Sequence, residues 1–273
     1  MKYSILENNI DLIKKYDAIG VDRIFLDLEI LGKKERQGHL DTVISIDHSI
    51  EDVKKISSVL KKSDLLVRIN PMHSNSKYEI ERCINDGADI IMLPMFKTRL
   101  EVEKFMKLVK GRVKTCLLLE TSEALARVDD VLEVHGIDEV HVGLNDLHLS
   151  LGLDFMFEVL SGGLVEYLAE KIHMKKIKFG FGGIATLNEG LVSGNMVLKE
   201  HVRLKSSAVI LSRTFKDIAN ESIEKFKEEF LALKTSFEEY TNNLSITELE
   251  ENRVLLRECT INIVEQKQLR NNV

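Results

Sequence analysis

The chain alternates short apolar runs with longer stretches in which apolar residues recur every three or four positions. The short runs are rich in Val, Ile, Leu and Phe, as is typical of strands covered on both faces. The stretches between them have the spacing of amphipathic helices, and several open on Ser or Thr and end in Gly, as helix caps require. In chain order the strand-like runs are KYSIL, DRIFLDLE, DLLVRIN, DIIMLP, KTCLLLE, EVHVGL, KFGFGG and AVILSR.

This alternation predicts a parallel sheet with helices on its outer face, an α/β fold. Eight strand–helix units make the (β/α)8 TIM barrel the leading architecture, and we assign it to residues 1–216. A doubly wound open sheet is the alternative, but no G-x-G-x-x-G follows the first strand. The predicted fold class is therefore a TIM barrel with an extra helical segment at its carboxyl terminus.

Residues 217–273 predict helices beyond those that a barrel needs. One apolar stripe at three- and four-residue steps consists of Ile223, Phe226, Phe230, Leu233, Phe237 and Tyr240. Ser245 and Glu248 then form a capping-box signature that opens a last helix. This segment either closes its own barrel or packs on a neighbouring subunit, and we expect a homo-oligomer, a trimer or a hexamer.

Composition narrows the class of protein. A net charge of −6 argues against a nucleic-acid-binding protein, which would need a basic surface. Three widely separated cysteines without a C-x-x-C pair indicate a reducing compartment rather than a disulfide framework or a zinc cluster. The amino terminus lacks the apolar core of a signal peptide, and no apolar run reaches the roughly 18 residues of a membrane helix. We therefore expect a cytoplasmic protein that binds neither nucleic acid nor membrane.

Polar side chains collect at the ends of the predicted strands. They are Asp27 and Glu29 of the second run, Arg68 and Asn70 of the third, Glu120 of the fifth, and Asn145 and Asp146 of the sixth. Active sites of TIM barrels lie at this carboxyl-terminal face, and side chains two positions apart share one face of a strand. Several carboxylates and one arginine can thus converge at the carboxyl-terminal opening of the barrel, its mouth. Some of them could instead serve only as internal ion pairs.

Glu120 and Asp146 form a candidate site for a divalent cation. Adjacent strands lie about 4.8 Å apart, so both carboxylates can reach one ion. Oxygen ligands in an incomplete protein cage suit Mg²⁺ or Mn²⁺, whereas without a cation the two carboxylates would repel each other. In simpler interpretations, Glu120 complements the positive end of the next helix and Asn145-Asp146 is a turn.

Four segments, in this order, resemble the HpcH/HpaI aldolase and citrate lyase beta-subunit family: LLVRINP, GADIIMLPMF, LLLETSEA and VGLNDLHLSLG. The resemblance runs from about Val21 to Gly183. It implies a (β/α)8 barrel that binds Mg²⁺ or Mn²⁺ and makes or breaks a carbon–carbon bond. Formation or cleavage of this bond proceeds through an enolate, either of a 2-oxo acid such as pyruvate or of an acyl-CoA.

The resemblance also assigns roles to individual residues. The family's metal-binding glutamate matches Glu120, and its metal-binding aspartate, in a G-x-x-D-L motif, matches Asp146. Its arginine that contacts the substrate carboxylate and the enolate oxygen matches Arg68. Around these groups we expect further substrate contacts from Asn70, Pro94, Thr121, Asn145 and Arg36.

The stretch Asp27-Leu28-Glu29-Ile30 departs from the family pattern, which is D-x-E-H in the aldolase branch and D-x-E-D in the lyase branch. No His or Asp follows Glu29, so this motif does not identify the group that transfers the proton. Candidates are the two carboxylates of this stretch, His148 within the G-x-x-D-L segment, and a metal-bound water. His39 and His48 follow the second strand, where a base could be displaced, but both are more simply surface histidines.

The predicted function is a metal-dependent carbon–carbon lyase or aldolase acting on a 2-oxo acid. A CoA-ester lyase is one alternative, for which the basic residues are confined to Lys33, Lys34 and Arg36. A phosphate-binding barrel enzyme is another, because GFGGIA and LSR follow the seventh and eighth strands. A barrel that has lost its base and binds a metabolite or partner without turnover is the third.

Overall fold

The computed structural model describes residues 1–32 and 48–271 and forms a closed barrel of eight parallel strands. The strands follow one another around the barrel in chain order, and β8 pairs with β1. The predicted TIM-barrel fold is confirmed. The strands are β1 (Lys2–Leu6), β2 (Arg23–Asp27), β3 (Asp64–Arg68), β4 (Ile90–Leu93), β5 (Lys114–Leu119), β6 (Glu139–Val142), β7 (Lys178–Ile184) and β8 (Ala208–Leu211).

Helices follow the strands and surround the barrel, and several begin at the caps expected from the sequence. Thr98, for example, precedes its helix in a capping box with Glu101. None of the helices within the described ranges is long and apolar enough to cross a membrane. They are α1 (Ile10–Ile19), α2 (Ile50–Ser57), α3 (Ser76–Asn85), α4 (Arg99–Val109), α5 (Ser122–Ala126), α6 (Val128–Leu132), α7 (Leu144–Ser150), α8 (Glu158–Ser161), α9 (Leu164–Met174), α10 (Gly194–Arg203), α11 (Arg213–Glu221), α12 (Ile223–Asn243) and α13 (Ile246–Asn271).

Two apolar regions hold these elements together. One face of each strand packs against the helices in a continuous core. The other face points into the barrel, where an apolar cluster fills the interior with Phe25, Leu66, Ile90, Met92, Cys116 and Leu118. At the amino-terminal end of the barrel, Arg23 donates two hydrogen bonds of 2.7 and 2.6 Å to Glu139. The barrel is therefore packed below its carboxyl-terminal mouth.

The carboxyl-terminal helices pack on their own barrel. In α12, Phe226 and Phe230 are fully buried, with their rings against Tyr16 and Tyr3. In α13, Asn252 donates to the carbonyl oxygen of Met196 at the start of α10. The capping box at Ser245 is also present, since its hydroxyl donates to Glu248 at 2.7 Å. The predicted division after residue 216 falls inside α11 and stays a prediction.

Candidate active site

The carboxyl-terminal ends of the strands surround a cavity of about 500 Å³. Five side chains predicted for the site line it: Asp27, Arg68, Glu120, Asn145 and Asp146. The rest of the wall is largely apolar and includes Phe25, Leu118, Leu144, Met156 and Ile210. A few converging polar groups in an apolar wall are typical of a small-molecule site.

Arg68, the last residue of β3, is held in one orientation by two carboxylates. Its Nε and Nη2 donate to the two oxygens of Asp27, each at 2.8 Å, and its Nη1 lies 3.4 Å from Glu29 Oε2. The guanidinium also lies 5.6 Å from the ring centre of Phe25. Burial opposes its charge, but Asp27, Glu29 and Glu120 outweigh burial and raise the pKa of Arg68. The cation is therefore fixed in place and permanently charged.

Glu120 follows β5 directly and is almost completely buried. Its Oε1 accepts a 3.1 Å hydrogen bond from the backbone N–H of Met95, a residue with a φ of 52°. Gly143 packs against the other oxygen, because a Cβ at position 143 would lie 2.8 Å from Oε2. Burial raises the pKa of Glu120 well above its ordinary value, Arg68 opposes this, and the charge of Asp146 adds to it.

Asp146 reaches the cavity from a helix, not from a strand exit. Strand β6 ends at Val142, Gly143 precedes the first turn of α7, and Asp146 lies in that turn. The expectation that Leu144 belongs to the sixth strand, with Asn145-Asp146 at the strand exit, is therefore wrong, and so is the simpler interpretation of these two residues as a turn. A carboxylate in the first turn of a helix is favoured by the positive end of the helix dipole.

His148 is placed away from the mouth, contrary to expectation. It is buried but does not line the cavity, and its Nδ1 has no hydrogen-bond partner among the described residues. The reason is the helical conformation of α7, in which residues two positions apart point about 200° from each other. Asp146 faces the cavity, so His148 cannot. Burial lowers the pKa of His148, which is consistent with a neutral buried imidazole.

Three expected substrate contacts also lie outside the cavity lining, and two of them, Asn70 and Thr121, are engaged by nearby groups. Asn70 accepts from the N–H groups of residues 30 and 31 and donates to Glu79 and to the Leu28 carbonyl. Thr121 caps α5 and donates to the Phe96 carbonyl. Pro94 is buried directly before Met95.

The connection after β2 contains candidate binding and acid/base residues, and the structure describes only one of them, His48. Arg36, predicted to bind a substrate anion, and His39 lie outside the described residues, as do Lys33 and Lys34. His48 is half-buried, not on the surface, and its Nδ1 accepts a 3.1 Å hydrogen bond from the backbone N–H of Asp27. Burial lowers the pKa of His48 despite the nearby carboxylate.

Among the polar residues of the cavity wall, His141 and Lys216 were neither predicted site residues nor part of the segments considered for phosphate binding. His141 lies inside the barrel on β6, where its Nε2 donates to the Gly182 carbonyl at 3.1 Å, and burial lowers its pKa to about 4. Lys216 lines the cavity from the second turn of α11. Alternation of polar residues at positions 139 and 141 within an apolar strand was the available signal for His141. Lys216 lies on a helix, so the positions of the strand ends do not show that its side chain reaches the cavity.

Two glycines near the end of β7, Gly182 and Gly183, belong to the segment considered for phosphate binding, and one of them has a packing role. Gly182 has a φ of +53°, and a Cβ there would lie 2.8 Å from the side chain of Leu144. Gly183 lines the cavity and has more space, since the nearest atom to its Cβ position is 3.6 Å away. Close contact with α7 therefore explains the first glycine.

The donor set of Glu120 and Asp146 fits a divalent cation. Both groups are carboxylates, which Mg²⁺ and Mn²⁺ prefer as ligands. A positive ion between them would also offset the repulsion and burial that raise the pKa of Glu120. Within residues 1–32 and 48–271, no group of three or more His, Cys, Asp or Glu is placed to hold a metal. Two protein carboxylates would thus leave coordination positions for water and substrate.

Comparison with known proteins identifies the family. The profile of the HpcH/HpaI aldolase/citrate lyase family matches residues 5–158. A curated hydroxypyruvate/pyruvate aldolase of Rhizorhabdus wittichii is 28% identical over 142 residues, which are 40% of this chain and 55% of that protein. The matched part of the chain thus spans about half the length of this relative.

Solved structures of similar proteins share the fold. An HpcH/HpaI aldolase from Desulfitobacterium hafniense DCB-2 aligns with a TM-score of 0.62 at 16% identity, covering 83% of this chain and 93% of its own. A family protein from Burkholderia cenocepacia J2315 aligns with a TM-score of 0.61 at 13% identity, covering 82% and 93%. The profile match includes the segments with Arg68, Glu120 and Asp146 and confirms the resemblance. This chain belongs to the HpcH/HpaI aldolase/citrate lyase family.

Proposed function

We propose that this protein is a carbon–carbon lyase of the aldolase type that depends on Mg²⁺ or Mn²⁺ and acts through the enolate of a 2-oxo acid such as pyruvate. The observation that carries the proposal is that Arg68, Glu120 and Asp146 line one cavity. Membership of an aldolase/citrate lyase family supports the reaction class. The relative named as a hydroxypyruvate/pyruvate aldolase supports the choice of a 2-oxo acid.

Glu120 and Asp146 would hold the metal ion. When bound, the ion supplies positive charge that stabilises an enolate oxygen. The protein restrains both carboxylates. Glu120 accepts a hydrogen bond from the Met95 N–H and packs against Gly143, and Asp146 lies in the first turn of α7. Ligands held on strand ends and a helix need little reorganisation when substrate binds.

Arg68 would bind the substrate carboxylate and stabilise the charge that develops on the enolate. Its two hydrogen bonds to Asp27 fix the plane of the guanidinium, so the cation does not have to be ordered during the reaction. The pairing with Asp27 and Glu29 gives these two carboxylates a positioning role. Asn145 lines the cavity beside Asp146 and would donate a hydrogen bond to the substrate.

The apolar wall strengthens these interactions. Phe25, Leu118 and Leu144 line the cavity between the charged groups. Apolar surroundings exclude water and lower the local dielectric constant, so a fixed charge acts more strongly on the developing enolate than in water. Ile30, which replaces the family's His or Asp, is 67% exposed and cannot transfer a proton. Proton transfer must therefore come from a group elsewhere at the mouth.

Hydrogen–deuterium exchange of pyruvate tests the proposal. The protein is incubated in D₂O with pyruvate and either Mg²⁺ or Mn²⁺, and loss of the methyl signal of pyruvate is followed by proton NMR. We expect exchange that needs the metal, stops with EDTA and is lost in Glu120→Gln. Absence of exchange with either metal, or metal-independent exchange that survives Glu120→Gln, would contradict the proposed function. It would favour a barrel that binds without turnover.

A further inference from the structure

Strand β7 contains a bulge near its carboxyl-terminal end. From Gly180 to Gly183 this strand advances by three residues, whereas their partners in β8, Ala208 and Ile210, are two residues apart. Gly182 lies within the bulge and has a φ of +53°, a left-handed conformation that favours glycine. Because a bulge interrupts the regular ladder of hydrogen bonds, its backbone groups need other partners.

His141 provides such a partner from inside the barrel. Its Nε2 donates a 3.1 Å hydrogen bond to the carbonyl oxygen of Gly182. Gly180, which pairs with His141 across the two strands, leaves room for the ring, because a Cβ there would lie 2.8 Å from Nδ1. Burial lowers the pKa of His141 to about 4, so the ring is neutral at neutral pH and carries a single N–H. That N–H is used by the bulge.

Gly182 also contacts the first turn of α7. A Cβ at position 182 would lie 2.8 Å from Cδ1 of Leu144 and 3.2 Å from its Cγ, so the leucine packs closely on the glycine. Leu144 is buried and is the first residue of α7, and Asp146 follows in the same turn. The position of the bulge therefore influences the position of the turn that carries Asp146.

The start of α7 is not restrained by a side-chain cap. Gly143 stands at the cap position and has no side chain that could accept a hydrogen bond. The first turn instead has a close contact on each side: Gly143 lies against Glu120, which follows β5, and Leu144 lies against Gly182 of β7. A shift of the bulge would thus move Asp146 relative to Glu120.

We propose that His141 is a positioning residue for the metal site. Its hydrogen bond fixes the bulge at Gly182, and the bulge in turn holds Leu144 and orients Asp146 toward the ion. The inference rests on the proposed function, since it concerns the metal ion that Glu120 and Asp146 would hold. His141 borders the cavity, but it acts through the backbone of β7 and not on the ion or the substrate.

Three substitutions of His141 test this role through the affinity for Mg²⁺. Isothermal titration calorimetry is carried out well below the unfolding temperature of each variant, so that only folded protein is compared. His141→Phe keeps a planar ring but loses the donor. It should weaken Mg²⁺ binding by about tenfold, as expected when an interaction that orients a metal ligand is removed.

Two amides separate the hydrogen bond from the size of the side chain. His141→Gln brings an N–H donor near the position of Nε2 and should bind Mg²⁺ within about threefold of the wild type. His141→Asn is one carbon shorter, does not reach the Gly182 carbonyl, and should resemble His141→Phe. A residue that only stabilised the barrel would change the unfolding temperatures without this order of metal affinities.

His201→Phe is the matched control. His201 is fully buried on α10, and its ring stacks on Phe181 of the same bulge with ring centres 3.8 Å apart. Neither of its nitrogens has a hydrogen-bond partner among the residues that the structure describes. The substitution makes the same chemical change beside the same strand but leaves the Gly182 carbonyl bonded, so Mg²⁺ affinity should equal that of the wild type.

Leu144→Ala tests the second contact without changing His141. It removes the side chain that packs on Gly182 and should also weaken Mg²⁺ binding by about tenfold. This variant decides the question where His141→Phe does not fold.

Equal Mg²⁺ affinities of the wild type and His141→Phe, or of the wild type and Leu144→Ala, would overturn the positioning role and leave the metal site in place. A loss in His141→Gln as large as in His141→Phe would overturn it too. Failure of the proposed function gives a different result. In that case the wild type binds neither Mg²⁺ nor Mn²⁺ and pyruvate shows no exchange, which also removes the role of His141.

Discussion

Gly143 and Glu120 touch at the mouth, and this contact makes a glycine necessary. A methyl group at position 143 would lie 2.8 Å from Glu120 Oε2 and 2.9 Å from its Cβ. Because Glu120 is buried and also held by the Met95 N–H, it cannot move aside without losing its orientation. Orientation of a metal ligand by its neighbours commonly changes metal affinity by about 10–100-fold.

Gly143→Ala should therefore weaken Mg²⁺ binding by at least about tenfold while the fold is retained. Mg²⁺ affinity is measured by isothermal titration calorimetry, and circular dichroism reports the fold. Gly183→Ala is the control, since this glycine also lines the cavity but its Cβ position is 3.6 Å from the nearest atom. Equal metal affinities of the two variants would contradict the assigned contact.

The raised pKa of Glu120 has a consequence for stability without metal. Burial is the main cause, so the folded metal-free chain binds this proton more tightly than the unfolded chain does. A carboxyl group with a raised folded-state pKa contributes less stability as pH rises through that pKa. Glutamine has the same shape and no charge to bury.

In EDTA, Glu120→Gln should accordingly unfold at a higher temperature than the wild type at about pH 8, and the difference should shrink toward about pH 5. Thermal unfolding followed by circular dichroism checks this. With Mg²⁺ added at about pH 8, only the wild type should gain stability. A variant that is less stable than the wild type at both pH values would show that the buried charge is compensated within the protein.

Individual residues differ in how well the sequence reveals them. Asp27, Arg68 and Glu120 could be predicted because parallel strands deliver their last side chains to one face of a barrel. Asn70 and Thr121 also follow strands, but their side chains bond to nearby backbone. Which partner a side chain takes depends on loop geometry that strand position does not determine.

At the scale of elements, α7 shows where periodicity misleads. Leu147, Leu149 and Leu151 alternate as in a strand, yet Leu144 and Leu147 are the buried leucines, three positions apart as in a helix. Seven residues are too few for one period to exclude the other. The longer helices and the buried strands have clear periods, and the barrel follows from their alternation.

The helical conformation of α7 gives opposite roles to two of its residues. Asp146→Asn should abolish Mg²⁺-dependent thermal stabilisation, because the side chain on the cavity side loses its charge. His148→Gln should retain at least about half of the stabilisation, since residue 148 faces away from the mouth. Loss of metal binding in His148→Gln with the fold intact would show that this histidine acts at the site after all.

For the whole molecule, α12 explains how the chain continues past a complete barrel. Phe230 is fully buried on Tyr3 of β1, with ring centres 5.4 Å apart, which joins the helix to the base of the first strand. The stripe was predictable from its spacing, but the surface that it covers was not. Assembly into a trimer or a hexamer stays a prediction.

Phe230→Ala should destabilise the chain by about 3–5 kcal/mol, the usual cost of truncating a buried aromatic side chain. Leu231→Ala changes a 43% exposed neighbour on the same helix and should cost less than about 1 kcal/mol. Urea unfolding gives both free energies. A cost for Phe230→Ala no larger than for Leu231→Ala would show that α12 does not dock on its own barrel.

The central claim is that Glu120, Asp146 and Arg68 together hold a metal ion and a 2-oxo acid. A crystal structure of the protein with Mn²⁺ and oxalate, in which anomalous scattering locates the metal, tests it most directly. We predict one manganese peak bonded to the carboxylates of Glu120 and Asp146, with the oxalate between the metal and Arg68. A manganese ion bound elsewhere, or a mouth that contains neither metal nor oxalate at saturating concentrations, would contradict the account.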